Sequence, residues 1–130
     1  MNKNFISTAA LLGALSVALG AFAAHKLRDI LPADGVATFE TGVRYQFYHT
    51  FALLIIGILS EKFTSKWIQR AGSCFIIGII LFSGSLYALT FLRIKEITGI
   101  NNVVGIITPF GGLFFIIGWL LLLLGVSKKD

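Results

Sequence analysis

The sequence predicts an all-α protein, an integral membrane bundle of four transmembrane helices forming one domain over residues 1–130. Three observations carry this. Hydrophobic residues make up 56% of the chain and charged residues 13%, against ~25% charge in a soluble domain. The mean hydropathy is +0.87, and a chain this short has no interior that could hide so much apolar surface, since small domains bury only ~60–70% of what they could expose. A water-soluble monomer is therefore excluded, and the same composition excludes disorder. Finally, the charged residues are clustered, and the gaps between clusters have the lengths of membrane helices.

No Asp, Glu, Lys or Arg occurs in Asn4–His25, Tyr45–Ser60, Ala71–Leu92 or Ile97–Ser127, runs of 22, 16, 22 and 31 residues. About 20 residues rising ~1.5 Å each cross ~30 Å of hydrocarbon, so three runs suffice alone. The second lengthens if Thr41 to Arg44 form its first turn and Arg44 snorkels to the headgroups. The fourth begins Thr98-Gly99-Ile100-Asn101-Asn102, which reads as loop. The expected spans are about Phe5–Ala24, Gly42–Leu59, Gly72–Leu92 and Val104–Val126. Their apolar runs are continuous rather than alternating, which argues for helices over a barrel. Lys3, the apolar stretch after it and Ala21-Phe22-Ala23 also have the marks of a signal peptide, but the run exceeds the usual apolar core of ~7–15 residues. The first helix is expected to be retained. Leu27 to Pro32 reads as a short amphipathic surface segment that Pro32 stops.

With four spans, Lys3, Lys62, Lys66, Arg70, Lys128 and Lys129 share one side. Lys26, Arg28, Arg93 and Lys95 share the other, with Arg44 at a helix edge. The excess places both termini in the cytoplasm. The net charge of +5 is absorbed by these loops, and no nucleic-acid signature accompanies it. The expected partner is the lipid bilayer. Cys74, the one cysteine, has no intrachain disulfide partner and reads as a small buried residue of the third span.

In lipid, helices associate where small residues let backbones approach. The first helix carries Ala9, Gly13, Ser16, Gly20 and Ala24 on one face, the third carries Gly84 and Ala88, and the fourth carries Gly111, Gly118 and Gly125 at seven-residue intervals. These are expected to be contact faces within the bundle or between copies in a homo-oligomer. Thr108-Pro109-Phe110-Gly111-Gly112 reads as a helix start or kink, or else as a broken helix whose freed carbonyls line a site.

The polar residues of the second helix single it out. At 100° per residue, Thr41, Arg44, Tyr45, Tyr48 and His49 fall on one face about 140° wide, with Gln46 beside it. Such a stripe should face protein or water rather than lipid. Ser83, Tyr87 and Thr90 share a face of the third helix. His25 closes the first helix and Thr108 opens the fourth, so the topology brings these groups into one half of the bilayer. The candidate ligand-binding residues are His25, Arg44, Tyr45, Gln46, His49, Ser83, Tyr87 and Thr108. Plainer roles stand beside that reading. Tyr48 and Tyr87 suit an interfacial belt, Arg44 suits a headgroup anchor paired with Glu40, and Ser83 and Ser85 suit bonds to helix carbonyls.

Five stretches carry a family resemblance: Gly20-Ala21-Phe22-Ala23-Ala24-His25, Phe39-Glu40-Thr41-Gly42-Val43-Arg44-Tyr45-Gln46 with His49, Leu81-Phe82-Ser83-Gly84-Ser85-Leu86-Tyr87, Ile107-Thr108-Pro109-Phe110-Gly111-Gly112, and Gly118-Trp119. On these the chain resembles the YgdD/YwdK family of small uncharacterised bacterial inner-membrane proteins, to which animal transmembrane protein 256 is related. Ala23 stands where the family pattern has Gly, and Ile94 to Val104 is longer than usual. The resemblance implies a four-span inner-membrane protein and no established activity.

The expected function is a structural or accessory bundle that stabilises itself through the polar cluster. The alternative is a small transporter or channel-like protein with its site at His49, Tyr45, Gln46 and the Thr108-Pro109 break. No Asp or Glu lies within an expected span, which disfavours coupling through a buried carboxylate. His49 is the embedded group able to titrate near neutral pH. Two histidines, His25 and His49, are a weak signal for haem, and no cofactor or metal is expected. No nucleophilic triad, paired carboxylates or phosphate loop points to an enzyme.

Overall fold

A computed structural model describes residues 1–127. Lys128 and Lys129, counted in the charge balance, lie outside the described residues. The described residues fold into four helices: α1 (Lys3–Ile30), α2 (Ala33–Leu59), α3 (Lys66–Ile94) and α4 (Asn101–Ser127). By length and composition α1, α3 and α4 are apolar enough to cross a membrane. α2 has 27 residues, as many as α4, and differs by the polar stripe between Thr41 and Thr50.

Every helix outruns its expected span. α1 continues past Ala24 to Ile30, so Leu27 to Ile30 are its last turn rather than a separate surface segment. The break is two residues long. Leu31 is extended, as the residue before a proline must be, and Pro32 at φ −64° leads directly into α2. Asn101 and Asn102, expected in a loop, are the first helical residues of α4. Helix α3 ends in a tight reversal: Ile97 N–H bonds the Leu92 carbonyl at 2.9 Å and Glu96 N–H bonds the Arg93 carbonyl at 3.2 Å. This pattern puts the intervening residue in the left-handed region, and Glu96 sits there at φ 55°. Outside the spans, Arg93 grips the Asp34 carboxylate with two hydrogen bonds, 2.9 and 3.2 Å. The first of these holds the Asp34 carboxyl below its ordinary value.

Neighbouring helices run antiparallel, up-down-up-down. Asn2 N–H reaches the Gly57 carbonyl at 2.8 Å, while Gly20 lies against Val43. Ser83 bonds Gly42, and Arg93 bonds Asp34 near the start of α2. Gly111 faces Phe82, Gly118 faces Phe75, and Gly125 faces Ile68. Helices α2 and α3 form the central pair, with α1 on the flank of α2 and α4 on the flank of α3. One apolar cluster joins Ala52, Ile56, Ile68, Ala71, Phe75, Ile79 and Phe115, and a second joins Ala23, Leu27, Val36 and Phe39.

The glycine stripe of α4 is the tightest surface. A Cβ on Gly111 would stand 2.3 Å from the backbone nitrogen of Phe82, and one on Gly118 would stand 2.6 Å from the Phe75 ring. The pattern is reciprocal, since Phe115 of α4 fills the space left by Gly78 of α3. The other expected faces need correction. Gly84 has open space around it, and Ala88 is exposed. Gly72 and Gly78 are the close-contact glycines of α3 instead. A π-helical turn follows at Ile79–Ser83. Its wider pitch keeps Ser83 on the buried face of Phe75 and Ile79, in steps of four; Gly84, nine residues from Phe75, lies off that face. Likewise α1 has a π turn at Ala23–Leu27, where Ala23 and Leu27 are buried and Ala24 is exposed.

Three outcomes follow for thermal or chaotrope unfolding in detergent. Gly111→Ala should destabilise by about 1–3 kcal/mol through overpacking, because the obstacle is backbone. Gly84→Ala at the open position should be neutral or stabilising by up to about 1 kcal/mol. Glu96→Gly should stabilise by roughly 1 kcal/mol by removing the left-handed cost of a side-chain-bearing residue.

Candidate functional site

The polar stripe of α2 enters a region where the bilayer offers no hydrogen bonds, so each group must find a protein partner. Gln46 is buried and spans three helices. Its amide donates to the Leu12 carbonyl of α1 at 3.1 Å and accepts from the Tyr87 hydroxyl of α3 at 2.7 Å. One turn earlier, Ser83 Oγ donates to the Gly42 carbonyl at 2.6 Å. Gly42 makes this approach feasible, because a Cβ there would stand 2.9 Å from the Tyr87 ring. Ser85 donates to its own helix at Phe82, 2.9 Å away, and its oxygen lies 2.6 Å from Thr108 Oγ1. With its proton used, Ser85 accepts from Thr108, which ties α3 to α4.

His49 occupies the centre of the bundle at 4% exposure. Its Nδ1 lies 2.7 Å from the Tyr45 carbonyl, and its Nε2 lies 3.1 Å from Trp119 Nε1. A carbonyl only accepts and an indole N–H only donates. Nδ1 therefore carries the proton, Nε2 accepts, and the imidazole is neutral. The ring stacks on Phe115 with centroids 3.5 Å apart and planes 6° apart. A protonated ring would point a second N–H at the Trp119 N–H and lose that bond.

Outside this network a groove opens between α2 and α4, with Phe82 of α3 in its floor. Its volume is about 780 Å³, and its walls include Tyr45, Tyr48, His49, Pro109, Gly112 and Trp119. Tyr45 lies over Phe82, ring centroids 4.7 Å apart, and packs edge-on to Tyr48 at 5.8 Å.

The structure thus brings together Gln46, Ser83 and Tyr87 in one network, pairs Thr108 with Ser85, and sets Tyr45 and His49 in the groove wall. It leaves two sequence-derived candidates apart. His25 is exposed on the π turn of α1, and Arg44 is exposed on α2. Glu40 does not pair with Arg44 but lies 3.9 Å from Arg28. The broken-helix version of the site is not formed either, since α4 is helical from Asn101 through Pro109 to Ser127. Gly105, one turn before Pro109, has nothing within 4 Å of a would-be Cβ.

Residue-type reasoning passed over Trp119 as a hydrogen-bond donor. Its signal is the buried His49, which needs a donor from another helix. It also passed over a clamp on the opposite face, where Asn2 Nδ2 donates to Gln69 Oε1 at 2.8 Å and Gln69 Nε2 donates to Ser60 Oγ at 3.1 Å.

Because Gln46 holds three helices, Gln46→Leu should lower unfolding stability by about 1 kcal/mol or somewhat more, the range of interhelical hydrogen bonds in membranes. Thr50 Oγ1 is the one buried side-chain oxygen among the described residues without a partner. Thr50→Val should accordingly raise stability, by up to about 1 kcal/mol.

With the geometry in place, the comparisons with known proteins are specific. The model of a family described as "Protein of unknown function (DUF423)" matches residues 19–112. A UPF0382 membrane protein of Haemophilus influenzae is 44% identical over 129 residues, covering 99% of this chain and 98% of that protein. The UPF0382 membrane protein YwdK of Bacillus subtilis is 37% identical, covering 97% and 98% of the two chains. The UPF0382 inner membrane protein YgdD of Escherichia coli is 36% identical, covering 92% and 86%. No solved structure matches. A family match across most of the chain, relatives of this identity end to end, and a bundle of apolar helices lead to one conclusion: the chain is a membrane protein of the DUF423 family, to which the UPF0382 proteins YwdK and YgdD are relatives.

Proposed function

We propose that this protein is a structural or accessory component of the bacterial inner membrane, not an enzyme, whose intramembrane polar residues hold the bundle together rather than process a substrate. One observation carries the reading: Gln46 and the Nε2 of His49 are spent on bonds to other helices, and the His49 Nδ1 is taken by the Tyr45 carbonyl of its own helix, so both nitrogens of His49 are occupied. A transport site needs groups that exchange partners, and here each exchange would undo a helix contact. Counted with the two C-terminal lysines of the sequence, the basic residues of the terminal side outnumber Lys26, Arg28, Arg93 and Lys95 of the other side six to four, which favours cytoplasmic termini. Gly84 and Ala88 on the outward face of α3 offer a second copy a surface for close packing. A transporter reading keeps one support, that His49 forms part of the wall of an open groove.

Reconstitution into vesicles separates the two. The expected result is that His49→Leu lowers the melting temperature by several degrees, while proton and cation flux stay at the level of protein-free vesicles for both proteins. Flux that the wild type supports and a folded His49→Leu variant lacks would overturn the structural reading in favour of transport.

A further inference from the structure

The groove between α2 and α4 lies within the spans and opens sideways, so its occupant comes from the bilayer. Pro109 and Trp119 mark its extent along α4. Ten residues of helix are ~15 Å, half the ~30 Å hydrocarbon, a length that takes most of an acyl chain. The walls are almost wholly apolar and aromatic. The polar exceptions, besides the bonded His49, are the Tyr45 and Tyr48 side chains toward the α1–α2 connection.

Arg44 lies one helical turn closer to that connection than Tyr48. The two residues share a second hollow with Glu40, Val43, Phe47 and Gly20, and Tyr48 borders both that hollow and the groove. Arg44 forms no ion pair or hydrogen bond among the described residues. The carboxylates nearest in the fold are engaged elsewhere, Glu40 with Arg28 and Asp34 with Arg93. An exposed, unpaired guanidinium on the connection side of an apolar groove about as long as an acyl chain has the complementarity of one kind of molecule. We infer that the α2–α4 groove binds an anionic phospholipid, its phosphate on Arg44 beside the Tyr48 hydroxyl and one acyl chain lying along Phe82, Phe115 and Trp119. The occupied leaflet is the one on the side of the α1–α2 and α3–α4 connections.

The fold supplies a variant that fills the groove. A Cβ on Gly112 would meet nothing nearer than the Phe82 ring at 3.8 Å, so a larger side chain there projects into the groove without striking backbone. Delipidated protein in detergent would be titrated with phosphatidylglycerol and with phosphatidylcholine of the same chains, and bound lipid counted by native mass spectrometry. The wild type should prefer phosphatidylglycerol. Arg44→Gln should reduce that preference about fivefold, the worth of one basic residue at an anionic surface, and Arg44→Lys should restore most of it. Gly112→Phe should lose both lipids while keeping its melting temperature, and inorganic phosphate should not compete.

Equal binding of the two lipids by the wild type would overturn the inference, as would a preference unchanged in Arg44→Gln. A wild-type dimer that Gly112→Phe dissociates, with lipid binding intact, would assign the groove to a second copy. If Gly112→Phe unfolds, the exposed Arg44 pair decides alone. The readout is independent of flux, so it stands or falls apart from the structural reading above.

Discussion

Hydrocarbon cannot hydrogen-bond, and that constraint organises this bundle. α2 carries more polar side chains into the membrane than its neighbours, and the inward-facing ones must find protein partners, on other helices where their own backbone does not serve. Gln46 therefore reaches α1 and α3 together, Gly42 accepts from Ser83 on α3, and His49 accepts from Trp119 on α4. Each bond fixes the rotation and depth of one helix relative to α2. The helix least apolar by composition is thus the one that every other helix is bonded to.

Between α3 and α4 the same end is reached without polar groups. Gly111, Gly118 and Gly125 bring the α4 backbone against Phe82, Phe75 and Ile68, and Gly78 receives Phe115 in return. In lipid there is little hydrophobic gain from such pairing, so its stability comes from dispersion between closely fitted surfaces. Each contact pairs an aromatic or β-branched residue with a residue that has no side chain. The fit therefore tolerates additions at Gly84, which touches nothing, and not at Gly111.

The bonds that satisfy the polar stripe also withdraw it from chemistry. An imidazole with both nitrogens occupied and a face stacked on Phe115 has no free valence to offer a solute. The groups left uncommitted lie at the edge: the exposed Arg44 and the two tyrosines along the groove. Structure and binding thus use different residues of the same helix, the inner ones tying the bundle and the outer ones addressing the membrane.

The number of helices, their approximate spans and the choice of α2 as the polar helix were legible in the sequence, because charge spacing and residue type are local quantities and the membrane fixes the length scale. So was the α4 glycine stripe, whose seven-residue repeat stays on one face of a regular helix. The sequence did not contain the two π turns in readable form. Those turns keep Ala23 and Leu27 of α1, and Ile79 and Ser83 of α3, buried in steps of four, and pattern counting at 3.6 residues per turn cannot register a local change of pitch. Which polar residues became bonds and which remained exposed was decided by tertiary structure alone. Arg44, Gln46 and His49 lie within two turns of one another, yet only Gln46 and His49 found partners, because a partner is supplied by another helix at a particular height. Composition set the solvent this chain folds in; the packing of α1, α3 and α4 around α2 set what each polar group in that solvent touches.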